Sequence, residues 1–426
     1  MARPSKRRSS RSGAVPSAYE CVLAIDEVGW HGEGMAHAGA DRVFVPYTLA
    51  GEQVRVAVAG DRGRLLEIVQ RAAERTDPFC QYFGTCGGCA LQHMADDTYA
   101  RWKRDVVETA LHNRGIQVPV EALIDAHGRG RRRATFHVAV QQGKRVVGFS
   151  AARSHSIVDL EACPIVVPEL AGSPARVRAL AAAIGTGSRL DVQLTKTSGG
   201  IDVHITGVGD VGLQERRALA GTADALDLAR IAVDGETIAE RRSPAIQIGV
   251  VSIVLPSGAF LQATEAGEHA LATLVESHLG GARRIADLFA GVGVFGLRLA
   301  SSAAVLSVDS DTAAIAALSQ AARRTRGLKP VETEVRDLQR RPLAAGELDR
   351  FDAVVFDPPR AGAEAQARAL AGCRVPRIAA VSCNPATFAR DAAILINGGY
   401  RLIRVCPVDQ FKWSPHVEIV GLFQRG

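Results

Sequence analysis

No apolar run in this chain approaches the roughly 20 residues needed to cross a bilayer, so no membrane association is expected. Cysteine is sparse: eight in 426 residues are too few for a disulfide scaffold, and they point to a reducing, cytoplasmic setting. The first twelve residues carry no acid and no apolar stretch of the secretory kind. Their basic side chains predict a disordered basic tail over 1–16. There is no internal repeat. The length exceeds what one hydrophobic core serves, so several domains are expected, in a monomer. What is present is ordinary for a globular protein, with 47% hydrophobic and 23% charged residues. A net charge of +6 leans towards a polyanionic partner.

Organisation follows from the periodicities. Over 17–73, short alternating strands between glycine turns (Tyr19–Ile25, Asp41–Val45, Gln53–Val58, Arg64–Val69) predict a small β-barrel. Residues 74–245 read as a central α+β region. It opens on a cysteine-rich loop and a helix over Ala95–Arg114 that buries Tyr99, Trp102, Val106, Val107, Ala110 and Leu111. This helix is a candidate to dock on the region that follows. From 246 to 426, strands at Arg284–Leu288, Val305–Asp309, Ala353–Phe356 and Ile378–Ser382 alternate with alanine-rich helices, and two closing strands end the chain. That pattern predicts a doubly wound parallel sheet, and a multidomain α/β protein overall.

Three cysteines, Cys80, Cys86 and Cys89, share one loop with Gly84, Gly87 and Gly88. Glycines let the backbone wrap a metal centre and aim its amides at sulfur. Cys163, followed by proline, is the candidate fourth ligand. Four thiolates suit either zinc or an iron–sulfur cube. Three ligands from one loop with a distant fourth, and a single C-x-x-C, favour a [4Fe–4S] cluster.

The run Asp287-Leu-Phe-Ala-Gly-Val-Gly-Val-Phe-Gly296 is a G-x-G-x-x-G turn, with Asp309 at the end of the next strand. Such a turn with an acid that can reach ribose hydroxyls serves NAD or S-adenosylmethionine alike. Asp337, after the third strand, and Asp357-Pro-Pro-Arg360, after the fourth, favour the methyl donor. After the fifth strand comes Ser382-Cys383-Asn384-Pro385, a thiol exposed at a strand end. A pyrimidine C5 accepts a methyl group only once a nucleophile has added at C6, and a base must then remove the C5 proton. Cys383 suits the first task. Glu418 or His416 suits the second, and strand alternation puts both on one face.

With these motifs in order, the chain resembles the RNA 5-methyluridine methyltransferases, and more closely the bacterial 23S rRNA (uracil-5-)-methyltransferase branch with a TRAM domain and a [4Fe–4S] cluster. The resemblance implies an OB-like TRAM barrel at 17–73 and a class I methyltransferase domain at the carboxyl end. It implies cluster ligands Cys80, Cys86, Cys89 and Cys163, the nucleophile Cys383 and the base Glu418. Contacts to S-adenosylmethionine fall on Gln262, Phe289, Asp309, Asp337 and Asp357. The implied substrate is RNA, 23S rRNA first and tRNA as the alternative, and the barrel, the tail and Arg131–Arg133 are expected to bind it. Thr264, Val294 and Asp309 stand where relatives usually carry Asn, Asn and Glu. The rival readings are an N-methyltransferase, which needs no thiol, and a non-catalytic iron–sulfur RNA-binding protein.

Overall fold

A computed structural model of the chain describes residues 18–185 and 189–425; the basic tail lies outside them. Two compact units emerge. One takes residues up to Asp77 with Ala90–Ala95, the other Pro78–Cys89 and everything from Asp96 onward. Among the described residues no helix is long and apolar enough to cross a membrane.

In the first unit, β1 (Tyr19–Val28), β2 (Glu33–Ala38), β3 (Asp41–Pro46), β4 (Gln53–Ala59) and β5 (Arg62–Gln70) close into a barrel in the order β1-β2-β3-β5-β4. Alternation explains it: Val54, Val56 and Val58 of β4 face a core with Leu23, Ile25, Val43 and Val45, while Gln53 and Arg55 point out. Closure removes the free edges that so small a sheet would otherwise expose. β2 escaped the sequence reading because Glu-Gly-Met-Ala-His-Ala has no β-branched residue. Its Gly34 is needed where Thr48 packs, since an added methyl would lie 2.0 Å from the Thr48 hydroxyl oxygen.

The second unit begins with α1 (Asp96–His112) and β6 (Ile124–Asp125). A seven-stranded sheet follows, built from β7 (Arg133–Gln141), β8 (Lys144–Ser150), β9 (Ile157–Asp159), β10 (Leu190–Thr197), β11 (Gly200–Thr206), β12 (Leu228–Val233) and β13 (Glu236–Glu240). Its order is β13-β12-β11-β10-β7-β8-β9, antiparallel except for the β11–β12 pair. Helices α2 (Pro168–Ala171), α3 (Ser173–Ile184) and α4 (Leu213–Ala225) occur within it, and α3 and α4 supply Val177, Leu180 and Leu219 to its core. Every residue of β12 is buried, and its one charge, Arg230, is paired at 2.8 Å with Asp202 on the neighbouring strand. A hairpin of β14 (Ala245–Ile248) and β15 (Val251–Val254) leads on.

The remaining elements are α5 (Glu265–Leu279), β16 (Arg284–Leu288), α6 (Gly296–Leu299), β17 (Ala304–Asp309), α7 (Thr312–Arg324), β18 (Val331–Val335), α8 (Ala345–Leu348), β19 (Ala353–Phe356), α9 (Glu364–Ala371), β20 (Arg377–Ser382), α10 (Pro385–Asn397), β21 (Tyr400–Asp409) and β22 (Glu418–Arg425). They form a sheet in the order β18-β17-β16-β19-β20-β22-β21-β6. β16 to β20 run parallel, and β22 lies antiparallel between β20 and β21. Residues 96–125 therefore serve this sheet: β6 extends it beyond β21, and α1 packs on α10. The strand order reverses between β16 and β19, which opens a crevice at the carboxyl ends of the strands.

Candidate active site

The turn after β16 is held from beneath. Asp287 is buried and accepts a hydrogen bond from the Gly296 amide at 2.8 Å, and burial pushes its carboxyl up to about 8. A methyl at Gly296 would lie 2.6 Å from the Asp287 carboxylate and from the Ser307 hydroxyl. Phe289 takes φ +58, Gly291 +53 and Gly293 +88. A phenylalanine in the left-handed region costs on the order of 1–2 kcal/mol, so the surrounding structure must impose that turn. Asp309 fixes it from the next strand, accepting from Gly291 N at 2.8 Å and Asp311 N at 2.8 Å. Asp337 accepts from Gln339 N at 3.0 Å. The loop thus has the open glycine backbone and flanking acids that an adenosyl cofactor requires.

Cys383 lies between the last residue of β20 and the helix cap. Asn384 caps α10 through Ala386 N and Thr387 N, with Pro385 in the first helical turn. The Asn384 amide and the Thr387 hydroxyl also donate to the Arg360 carbonyl at 3.2 and 3.3 Å, tying the Asp357-Pro-Pro-Arg loop to the cysteine turn. The half-buried thiol is pushed up to about 11, by burial first and then by the charges of Glu418 and Asp357; Arg360 opposes this.

Glu418 opens β22 and is buried. Gln410 donates to its Oε1 at 3.0 Å, while Oε2 is buried with no hydrogen-bond partner. Glu418 and Asp357 are both raised, by burial first; the Asp357 charge raises Glu418 further, and the Gln262 amide at 2.8 Å partly offsets the rise at Asp357. His416 is exposed, and its ring accepts from Arg360 at 2.7 Å. Its lone pair is therefore engaged, whereas Oε2 of Glu418 has no partner.

One cleft of about 630 Å³ is lined by Gln262, Phe289, Asp309, Asp337, Asp357, Cys383 and Glu418, and also by Arg360 and His416. All seven residues expected for cofactor and catalysis meet there. Two substitutions noted in the sequence take structural roles. Thr264 caps α5 through Gly267 N at 2.8 Å and donates to the Ala126 carbonyl at 2.6 Å, and Val294 is buried in the core while it also lines the cleft. Arg132 corrects the expectation of an RNA-binding arginine row. It is buried against Glu268 at 2.5 Å and donates to the Gln262 carbonyl at 3.1 Å, so it is closed to phosphate. Gln410 and Lys103 went unread. Gln410 has no sequence signal; for Lys103 the signal was a lysine one turn after Tyr99 on the buried face of α1.

The cysteine loop is stitched to the segment that leads to Cys163. Gly87 N donates to the Ser150 carbonyl at 2.9 Å, Ala152 N to Thr85 at 3.2 Å, and Glu161 N to the Tyr82 hydroxyl at 2.9 Å. Gly88 N points at the Cys86 sulfur at 3.4 Å. Cys163 is buried and pushed up to about 11, by burial and then by the neighbouring Cys86 and Cys80. Among the described residues no group of three or more His, Cys, Asp or Glu is gathered to hold a single metal ion. Cys86 and Cys80 are near enough for their charges to act on the buried Cys163.

The family described as tRNA (Uracil-5-)-methyltransferase matches residues 258–425. An uncharacterized RNA methyltransferase of Brucella suis is 45% identical, over 95% of this chain and 98% of its own. A 23S rRNA (uracil(1939)-C(5))-methyltransferase of Chromohalobacter salexigens is 33% identical, over 95% of this chain and 89% of its own. Among solved structures, the tRNA (uracil-54, C5)-methyltransferase of Pyrococcus abyssi, in complex with S-adenosyl-L-homocysteine, shares the fold. Its TM-score is 0.74 at 22% identity, covering 94% of this chain and 99% of that one. With near-full-length relatives at this identity, the chain belongs to the S-adenosylmethionine-dependent RNA 5-methyluridine methyltransferases.

Proposed function

We propose that the protein methylates C5 of a uridine in 23S rRNA through a covalent adduct on Cys383, with Glu418 as the base. The observation that carries this is the buried, unpartnered Oε2 of Glu418 in the same cleft as the Cys383 thiol. The thiolate forms a bond to C6, and the C5=C6 electron pair moves towards the C4 carbonyl, so that C5 becomes enolate-like. Bound S-adenosylmethionine supplies an electrophilic methyl group. Gln262, Phe289, Asp309, Asp337 and Asp357 would hold it. Once C5 carries the methyl, Glu418 takes the C5 proton, the double bond re-forms and the thiolate leaves. Arg360, whose charge lowers both Cys383 and Glu418, favours the anionic forms that these steps need.

Cys80, Cys86, Cys89 and Cys163 would hold a [4Fe–4S] cluster, and the barrel reads as a TRAM-like RNA-binding module. The full-length rRNA-modifying relative supports 23S rRNA as substrate; tRNA is the second reading, supported by the matched family description. The mechanism is tested with RNA bearing 5-fluorouridine, since fluorine cannot leave as a proton. Wild type should form an adduct that survives denaturation, Glu418→Gln should accumulate one on ordinary uridine, and Cys383→Ala should form none. Methylation by Cys383→Ala would overturn the mechanism. Position-mapped mass spectrometry of rRNA and tRNA nucleosides from a deletion strain decides the substrate.

A further inference from the structure

Gln410 is buried, outside the lining of the cleft, yet its amide touches both halves of the site. Its Oε1 accepts from Ala263 N at 2.7 Å. A backbone N–H can only donate, so the amide orientation is fixed and Nε2 must face the other way. That nitrogen donates to Glu418 Oε1 at 3.0 Å and to Gln262 Oε1 at 2.6 Å. Gln262, its own carbonyl now occupied, turns its NH₂ to Asp357 at 2.8 Å. The result is an unbroken row, Asp357–Gln262–Gln410–Glu418, anchored at one main-chain donor. Gly267 on α5 makes room for it, since a methyl there would lie 2.7 Å from the Gln410 Cβ.

We propose that Gln410 is a positioning residue for the proton-removal step: it occupies Oε1 of Glu418, so that Oε2 is held towards the cleft as the acceptor. The proposal rests on the reading of Glu418 as base. The charged and titratable groups facing Glu418 are Asp357 and Arg360 from the loop after β19, Cys383 from the turn after β20, Lys103 from α1, and His416 two residues upstream. Gln410 is the neutral donor among them. It stabilises the carboxylate without adding charge near the thiolate.

Gln410→Met keeps length and volume but cannot donate. In single-turnover reactions it should form the 5-fluorouridine adduct at the wild-type rate, since addition and methyl transfer precede the base step. Release of methylated product from ordinary uridine should slow roughly ten- to hundredfold, the usual worth of a hydrogen bond to a charged group. The acid limb of the release rate should move to higher pH, because the carboxylate has lost a stabilising donor, and raising the pH should restore Gln410→Met but never Glu418→Gln. Gln410→Glu, which still accepts from Ala263, should move the limb the same way. Equal slowing of adduct formation and release in both variants, or an unmoved limb, overturns the proposal. If Glu418→Gln itself accumulates no adduct, the assignment of the base has failed instead.

Discussion

Lys103 and Asp409, 306 positions apart in the chain, meet at 2.6 Å in a buried ion pair. The lysine also donates to the His416 carbonyl, and Tyr99 adds its hydroxyl to the other Asp409 oxygen at 2.8 Å while accepting from Trp413 N at 2.8 Å. α1 thus clamps the loop between β21 and β22 at three points, and that loop carries Gln410 at one end and Glu418 at the other. Desolvation drags Lys103 down to about 8, and Asp409 holds it up against that pull.

Removing one partner leaves the other charged and buried. Lys103→Met should cost about 3–5 kcal/mol of stability, read by urea denaturation. A loss under about 1 kcal/mol would show that the loop is held by other contacts.

The raised carboxyl of Glu418 makes stability depend on pH with a definite sign. Its folded value lies above its ordinary 4.5, so the folded chain retains a proton that the unfolded chain releases. This stabilisation is complete below pH 4.5 and is lost as pH rises through about 8. The thermal midpoint of the ligand-free protein should therefore fall between about pH 5 and pH 8, and fall less in Glu418→Gln. Parallel curves for the two proteins would contradict the shift.

The cysteine loop carries a compositional prediction. Anaerobically purified protein should be brown, with about four irons and four sulfides per chain. Cys163→Ser should make the cluster labile, because the closing ligand is lost. Stoichiometric zinc without sulfide would refute the assignment.

Much of this was legible because it is local. Val54, Val56 and Val58 alternate, α1 repeats its apolar face each turn, and the glycine turn, Asp357-Pro-Pro and Cys383-Asn-Pro each follow an apolar strand. β18 was harder to read: Val-Glu-Thr-Glu-Val lies at the sheet edge and is half exposed, so its pattern is polar. Gln410 was not legible at all. Its partners Ala263 and Gln262 lie 147 and 148 positions away, and no spacing rule reaches that far. The buried Arg132 failed for the same reason: within the sequence it is one arginine of three, and only Glu268, 136 positions on, removes it from solvent.

The placement of β22 between β20 and β21 has a consequence for how the protein is made. The sheet cannot close until its last strand leaves the ribosome, while α1 and β6, synthesised some three hundred residues earlier, wait for the partners they cover. Contacts of such sequence separation form slowly and leave apolar faces open in the meantime. A nascent chain stopped after α10 would already carry its thiol and its glycine turn, yet it would lack Glu418, Gln410 and the strand that brings them together. Cys383 and Glu418 therefore come to line one cleft only after β22 has been made and paired with β20 and β21.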